Sequence, residues 1–422
     1  MARNFEAHGY QRVSFDEKAD VYVINSCSVT GRADKKSEEA LKKARNQNPE
    51  ARVVMVGCYA QLQPDRIARI QGVDLILGSN EKFRILEYLE DQPPSGKPEI
   101  HTCQPGQDRP YHPAYSYGDR TRSFLKVQDG CDYKCSYCTI PLARGGSRNQ
   151  PVSEIVEEAR LLGRSGIREV ILTGVNIGDF GKSTGETFQE LIAALEKVPG
   201  IERYRISSVE PNLLNDDIIR LVGQSKKFLP HFHLPLQSGS DEILGKMRRR
   251  YRRDLFRERI SAIRQIVPDA FIGVDLIVGF PGEDEKRFRQ TMDFISELEA
   301  SYYHVFSFSP RPNTPAASMK PRVPRETVRE RSRMVQEMAE KKKLEFYRKH
   351  LGQVREVLFE GTIKNGMNFG FTDNYIRVEA PHEKDLPGSV KKVQLQELTG
   401  RDTVRATPVS KTKSKTERHI NK

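Results

Sequence analysis

The chain has 422 residues, more than one hydrophobic core ordinarily serves, so two or three domains are expected. Mean hydropathy is −0.63, no stretch has the apolar length of a membrane span, and the first ten residues lack the apolar core of a secretory signal, so a cytoplasmic address is expected. Six cysteines are too few for a disulfide scaffold, and the net charge of +12 suits a polyanion such as RNA, although many proteins are mildly basic without such a partner.

Residues 1 to 92 alternate strand and helix. Short β-branched runs at 19–25, 52–58 and 73–78 are followed by helical stretches near 33–46, 64–70 and 81–89. Apolar strands alternating with helices predict a doubly wound parallel sheet. Cys27 and Cys58 each fall just past the carboxyl end of a strand, the edge where open α/β sheets bind ligands. Each is read either as a small buried residue or as one of a pair sharing a metal. The tract 93–118, rich in proline, reads as linker, with Cys103 in no recognisable motif.

From 119 to 350 the strand-then-helix pattern resumes. Strands are expected at 123–127, 169–175, 203–210, 231–235, 271–279 and 302–306, with helices between them and a long charged helix from about 326 to 349. Six such strands predict a partial or full β/α barrel with its chemistry at the carboxyl ends. After the first strand comes Gly130-Cys131-Asp132-Tyr133-Lys134-Cys135-Ser136-Tyr137-Cys138, three thiols spaced C-x-x-x-C-x-x-C. Three closely spaced thiolates suit an iron–sulfur cluster with one iron left open for a further ligand. Zinc is the rival, but zinc motifs pair a C-x-x-C with further cysteines or histidines, and no histidine is near in sequence. Small and polar residues at other strand exits, Gly174, Ser208, Glu210 and Gln237, with Tyr137 in the loop itself, are candidate contacts for a bound cofactor; singly, each is more often an ordinary loop residue. The basic run 246–253 is either a grip on an RNA backbone or a solvated face.

Residues 351–403 change to short alternating strands separated by Gly, Asn and Pro, predicting a small β-barrel of the OB type, either a nucleic-acid binder or a plain structural module. Residues 404–422 read as a basic disordered tail.

The three-cysteine loop resembles the radical S-adenosylmethionine (SAM) superfamily. The wider set resembles its methylthiotransferase family over nearly the whole chain: Asn25-Ser26-Cys27-Ser28-Val29-Thr30, Val56-Gly57-Cys58, the cysteine loop with Pro141 and Arg144-Gly145, His233-Leu234-Pro235-Leu236-Gln237-Ser238-Gly239-Ser240, Met247-Arg248-Arg249-Arg250-Tyr251 and Ser309-Pro310-Arg311-Pro312-Asn313-Thr314-Pro315. The C-terminal barrel resembles a TRAM domain, a tRNA-binding module. Cys27-Ser28-Val29-Thr30 followed by Ala33-Asp34-Lys35-Lys36-Ser37, together with residues 143–148, look most like the branch acting on threonylcarbamoyladenosine in tRNA; the branch acting on isopentenyladenosine is the alternative.

The resemblance implies a 4Fe–4S cluster on Cys131, Cys135 and Cys138 that cleaves SAM to a radical able to take hydrogen from adenine C2. It also implies a second cluster that supplies sulfur, with Cys27 and Cys58 among its ligands, and a second SAM as methyl donor. The implied partners are the tRNA anticodon stem-loop and a low-potential electron donor such as flavodoxin or ferredoxin. The family's N-terminal domain carries three cluster cysteines, the first after an initial strand; here that strand and cysteine are missing, so the second cluster is expected to lack a ligand and methylthiolation to be poor. Rival readings are an RNA-binding protein that no longer catalyses, and an enzyme acting on a protein.

Overall fold

Four parallel strands form the N-terminal sheet in the order β1 (Val21–Ser26), β2 (Arg52–Gly57), β3 (Leu75–Leu77) and β4 (Glu99–His101). The computed structural model describes residues 1–90, 97–104, 109–116, 121–400 and 402–409. Val53 to Val56 are fully buried, as a strand covered on both faces requires, which is why β2 reads as an unbroken apolar run. Thr30 caps the helix Gly31–Gln47 by accepting from Ala33 N. β4 lies within the stretch expected to be linker; at three residues it is too short to show periodicity, and it is a strand because β3 offers it an edge.

Register places Ser26 opposite Gly57, so Cys27 and Cys58 leave neighbouring strands side by side. Gly57 sits at φ +103°, and a Cβ there would lie 2.7 Å from the carbonyl of Ser26; only glycine allows this approach.

Six parallel strands follow: β5 (Arg122–Lys126), β6 (Glu169–Thr173), β7 (Arg203–Ile206), β8 (His231–Gln237), β9 (Phe271–Val278) and β10 (Tyr302–Ser307). They hydrogen-bond as two three-stranded sheets, β5-β6-β7 and β10-β9-β8, joined by isolated bridges from Tyr204 to Phe228 and from Ser208 to His233. Among the described residues β5 and β10 do not pair with each other, so this is an open, partial barrel. One continuous core fills it, from Leu125 and Val170 to Leu276 and Tyr303. The helix Arg325–Lys349 packs along β10.

The C-terminal strands β11 (Val354–Lys364), β12 (Met367–Thr372), β13 (Arg377–Pro381), β14 (Val390–Leu398) and β15 (Val404–Pro408) close into a barrel in the order β11-β12-β13-β15-β14. β15 corrects the expectation that disorder begins at 404. It is five residues ending in proline, held by β14 on one side and by two residue pairs with β13 on the other, so closure rather than local pattern makes it a strand. The rest of the expected tail, 410–422, lies outside the described residues.

This barrel docks on the amino ends of the six strands. Arg122, Glu169, Arg203, His231 and Phe271 each open a strand. Glu169, fully buried, faces the guanidinium groups of Arg205 at 3.2 Å, Arg122 at 3.5 Å and Arg203 at 3.8 Å. Arg205 also donates to the carbonyls of Thr372 and Asp373, and Arg122 to Glu360. Phe271 and Tyr375 pack in the same apolar cluster. The carboxyl ends, where the cysteine loop sits, are therefore the opposite face. No helix among the described residues is long and apolar enough to cross a membrane.

Candidate cluster and cofactor site

The cysteine loop is anchored at its start by Gln128, which is fully buried. Its amide nitrogen donates to the carbonyls of Asp129 and Gly130 and to Ser147 Oγ, while its oxygen accepts from the backbone of Val175 and Asn176. One side chain thus ties the loop after β5 to the loop after β6. The space beside Gly174 is consequently filled: a Cβ there would meet Gln128 Oε1 at 2.9 Å, so this glycine accommodates Gln128.

Asp129 binds the other side of the loop. Oδ1 accepts from Gly130 N and Arg144 Nη1, and Oδ2 from Lys126 and Arg148. Burial opposes its charge, but Lys126, Arg144 and Arg148 outweigh that and hold its pKa at about 2. Ser136, between the second and third cysteines, is fixed on three sides: its N–H donates to Met247 O, its hydroxyl to Lys246 O, and its carbonyl accepts from Ala316 N at 2.8 Å.

Each thiol meets an N–H. Tyr133 N lies 3.4 Å from Cys131 Sγ, Ile140 N lies 3.5 Å from Cys138 Sγ, and Arg249 Nη1 lies 3.1 Å from Cys135 Sγ. Burial pushes Cys131 up to about 12, Cys138 up to about 11, and Cys135 upward as well. Thiols so placed become thiolates when a cation takes the proton's position. Among the described residues no three His, Cys, Asp or Glu side chains already converge in a metal-holding arrangement. The donor set nevertheless fits a cluster: three unpaired thiols on one loop, each with an N–H directed at sulfur, as cluster thiolates receive.

Arg249 is the residue that sequence reasoning missed. In its run one helix ends at Lys246, another begins at Arg253, and Arg248 adopts φ +58° in the turn between. That turn leaves Arg248 and Arg250 exposed and buries Arg249, so the run is not one basic face. Arg249 touches Cys135 Sγ, Tyr137 Oη at 3.3 Å, Tyr251 Oη at 3.0 Å and the carboxylate of Glu210. Tyr251 in turn donates to the carbonyls of Pro235 and Leu236, just before Gln237. Tyr137, Glu210 and the end of β8 are thereby brought together around one guanidinium. Burial raises Glu210, opposed by Arg249. Gln237 itself has φ +67° at a register shift in β8, a backbone constraint of the kind that collects at ligand sites. Ser208 bridges to His233 on the same rim.

The second pair of cysteines lies beside this loop. The helix Cys58–Leu62 packs on the helix Ile140–Arg144, and Arg144 Nε lies 3.4 Å from Cys58 Sγ while its Nη1 reaches Asp129. Cys58 is buried and Cys27 exposed. Cys103, after β4, contacts Gln61 of the same helix at 3.3 Å.

Comparison with known proteins places this geometry. Residues 125–295 match the Radical SAM superfamily and residues 1–78 match Uncharacterized protein family UPF0004. Threonylcarbamoyladenosine tRNA methylthiotransferase MtaB of Thermotoga maritima is 38% identical over 380 residues, 90% of this chain and 87% of its own length. The protein of that name from Bacillus subtilis is 36% identical over 402 residues, covering 93% and 88%. The chain belongs to the radical SAM tRNA methylthiotransferases. The family's other branch is more distant: tRNA-2-methylthio-N(6)-dimethylallyladenosine synthase of Syntrophotalea carbinolica is 32% identical over 397 residues, covering 92% and 91%. Among solved structures, the radical S-adenosylmethionine methyltransferase TsrM of Kitasatospora setae superposes with a TM-score of 0.55 at 15% identity, over 72% of this chain and 65% of that one, a likeness of fold. Family membership brings the 4Fe–4S cluster and SAM as cofactors.

Proposed function

We propose that the protein methylthiolates C2 of N6-threonylcarbamoyladenosine next to the anticodon of tRNA, in the cytoplasm, drawing electrons from a flavodoxin- or ferredoxin-like donor. The observation that carries the reading is the three-thiol loop with its directed N–H groups at the carboxyl end of a parallel β/α barrel, in a chain 38% identical to a threonylcarbamoyladenosine enzyme.

Cys131, Cys135 and Cys138 would hold the cluster. When bound there, the cluster supplies the electron that cleaves SAM. The chain's own residues do the positioning. Arg249 holds the Cys135 sulfur and the Glu210 carboxylate in one fixed relation, leaving the second Glu210 oxygen for a ligand's amino group. Ser208, Gln237 and Tyr137 line the same rim. Apolar Phe280, edge-on to Tyr137, helps keep water from the loop. Cys27 and Cys58 are two thiols, one fewer than a cluster with a single open iron takes. The opposite-end barrel supports RNA binding at a distance from the chemistry, with Lys391 and Lys392 on β14 as cationic candidates.

Nucleosides from tRNA of a strain lacking this gene test the reading. Loss of 2-methylthio-N6-threonylcarbamoyladenosine, restored by this chain but not by its Cys135→Ala variant, is the expected outcome. Restoration of the isopentenyl analogue instead would assign the other branch, and unchanged tRNA would overturn the proposal.

A further inference from the structure

A stack of two side chains stands at the outer edge of the cysteine loop. Tyr133, between the first and second thiols, is 2% exposed, and its hydroxyl accepts from Asn212 Nδ2 at 2.7 Å. The guanidinium carbon of Arg250 lies 3.9 Å from the centre of the Tyr133 ring. At that distance a guanidinium turned edge-on would drive a nitrogen into the ring, so the two planes lie face to face. Arg250 Nη2 also reaches the Asp132 carbonyl at 3.4 Å. Arg250 is nonetheless exposed: one face of its plane covers the tyrosine and the other is open. Among the described residues no carboxylate pairs with Arg250, nor with Lys134 and Arg248, which are exposed on the same two segments.

We propose that Arg250, held flat on Tyr133, is a stacking platform for an RNA base: the nucleotide beside the one being modified. This rests on the tRNA methylthiotransferase reading above. A base can bring its C2 edge to the cysteine loop only by leaving the stack of its neighbours, and a neighbour left behind then exposes a π-face to water. A platform next to the loop covers that face without reading sequence, because every base has one. Arginine on tyrosine suits the task. Guanidinium planes stack on bases as aromatic rings do, and the ring beneath already restricts the side chain, so less freedom is lost on binding. The unneutralised charge, with those of Lys134 and Arg248, draws in the adjoining phosphates. Holding the loop itself falls to other groups: Ser147 N and Lys182 bind the Asp132 carboxylate, and Asn212 binds Tyr133.

Binding of an anticodon stem-loop to the full-length, iron-reconstituted protein, measured across a range of salt, separates plane from charge. Arg250→Lys keeps the charge and loses the plane; its Kd should rise roughly tenfold with the salt slope unchanged. Arg250→Trp keeps a plane and loses the charge; it should recover most of the affinity, while the salt slope falls by about one. An abasic site at each nucleotide flanking the target, in turn, gives a readout that a merely structural arginine would not move. At one of the two positions, removing the base should weaken wild type roughly tenfold and Arg250→Lys hardly at all, because the contact is already gone. Wild-type affinity in Arg250→Lys, or independent losses at both flanking positions, would overturn the platform and leave the tRNA reading standing. Loss of iron from Arg250→Lys would make Arg250 a support of the loop, and would overturn the platform as well. If wild type bound the stem-loop no better than double-stranded DNA, the tRNA reading would fall and the platform with it.

Discussion

Arg249 Nη1 lies 3.1 Å from Cys135 Sγ, and the same guanidinium grips Glu210. A buried cation placed between the Cys135 sulfur and the half-buried Glu210 carboxylate favours the anionic form of both at once. Arg249→Met leaves Glu210 without its cation, and breaking such a pair costs about 3 to 5 kcal/mol. Urea unfolding of the iron-free variant should show that loss, and iron uptake at the three-cysteine loop should fall with it. Arg249→Lys, which keeps charge but cannot reach sulfur and carboxylate together, should recover part of the stability and little of the SAM affinity. A Met variant as stable as wild type would remove Arg249 from this role.

At the other end of the strands, Glu169 is a fully buried carboxylate shared by Arg122, Arg203 and Arg205. Burial raises its pKa, but the three arginines prevail and hold it below the usual carboxylate range. A depressed folded pKa contributes stability above the unfolded value, near 4.5, and that contribution drains away as pH falls below it. Glu169→Gln removes the anion that Arg122, Arg203 and Arg205 share and should cost about 3 kcal/mol at neutral pH. The gap between variant and wild type should narrow when unfolding is measured toward pH 3. Because this cluster also seats the C-terminal barrel, protease cutting near 350 should rise in the variant.

These two arginine sites show what was legible beforehand and what was not. The strands β2 and β6 carry unbroken apolar runs because both faces are covered, and such runs announce themselves. The cysteine loop is equally local: three thiols within eight positions need no tertiary information. Arg249 carries no such signal. It sits in a run of like charges, and only the left-handed turn at Arg248 sends it inward while its neighbours stay out. Gly174 looked like room for a ligand because a sequence does not show that Gln128, 46 residues earlier, fills that room. β4 and β15, at three and five residues, exist as strands only because a sheet and a barrel present edges to them.

Gly130 opens the cysteine loop at φ +73°, and a Cβ on it would fall 1.8 Å from the carbonyl oxygen of Gly146. Neither backbone can yield cheaply, since Asp129 pairs with Arg148 and Cys131 N donates to Gly145 O across the same two segments. Gly130→Ala combines a strained dihedral with a clash and should cost about 2 kcal/mol or more. Gly166→Ala is the control: its φ is +84° but nothing lies within 4 Å of the added methyl, so it should cost about 1 kcal/mol. Iron content after reconstitution should drop in the first variant and hold in the second. Equal iron content in both would show that the loop tolerates the shift.

Glu283, in the loop after β9, is pushed up to about 6 by burial, against the hydrogen bond from Gly279 N and the charge of Arg331. Its folded pKa lies above its unfolded value of 4.5, so the native state holds the proton more tightly. Stability from this group is present in full below pH 4.5 and is lost as pH rises through 6, a change of about 2 kcal/mol. Glu283→Gln keeps an acceptor for Gly279 N and for Arg331 but cannot ionise. Wild type should therefore lose about 2 kcal/mol relative to the variant between pH 4.5 and pH 7, read from urea midpoints at matched ionic strength. Parallel curves for the two proteins across that window would mean that Glu283 titrates no differently folded than unfolded. The loop also carries Gly282, whose N–H donates to Pro321 O, shortly after Ala316 in the chain. A shift in its packing with pH should therefore reach Ala316 and its hydrogen bond to the cysteine loop, seen as faster amide exchange at Ala316 in wild type at pH 7 than at pH 5 once corrected for intrinsic rates, and as no such difference in Glu283→Gln.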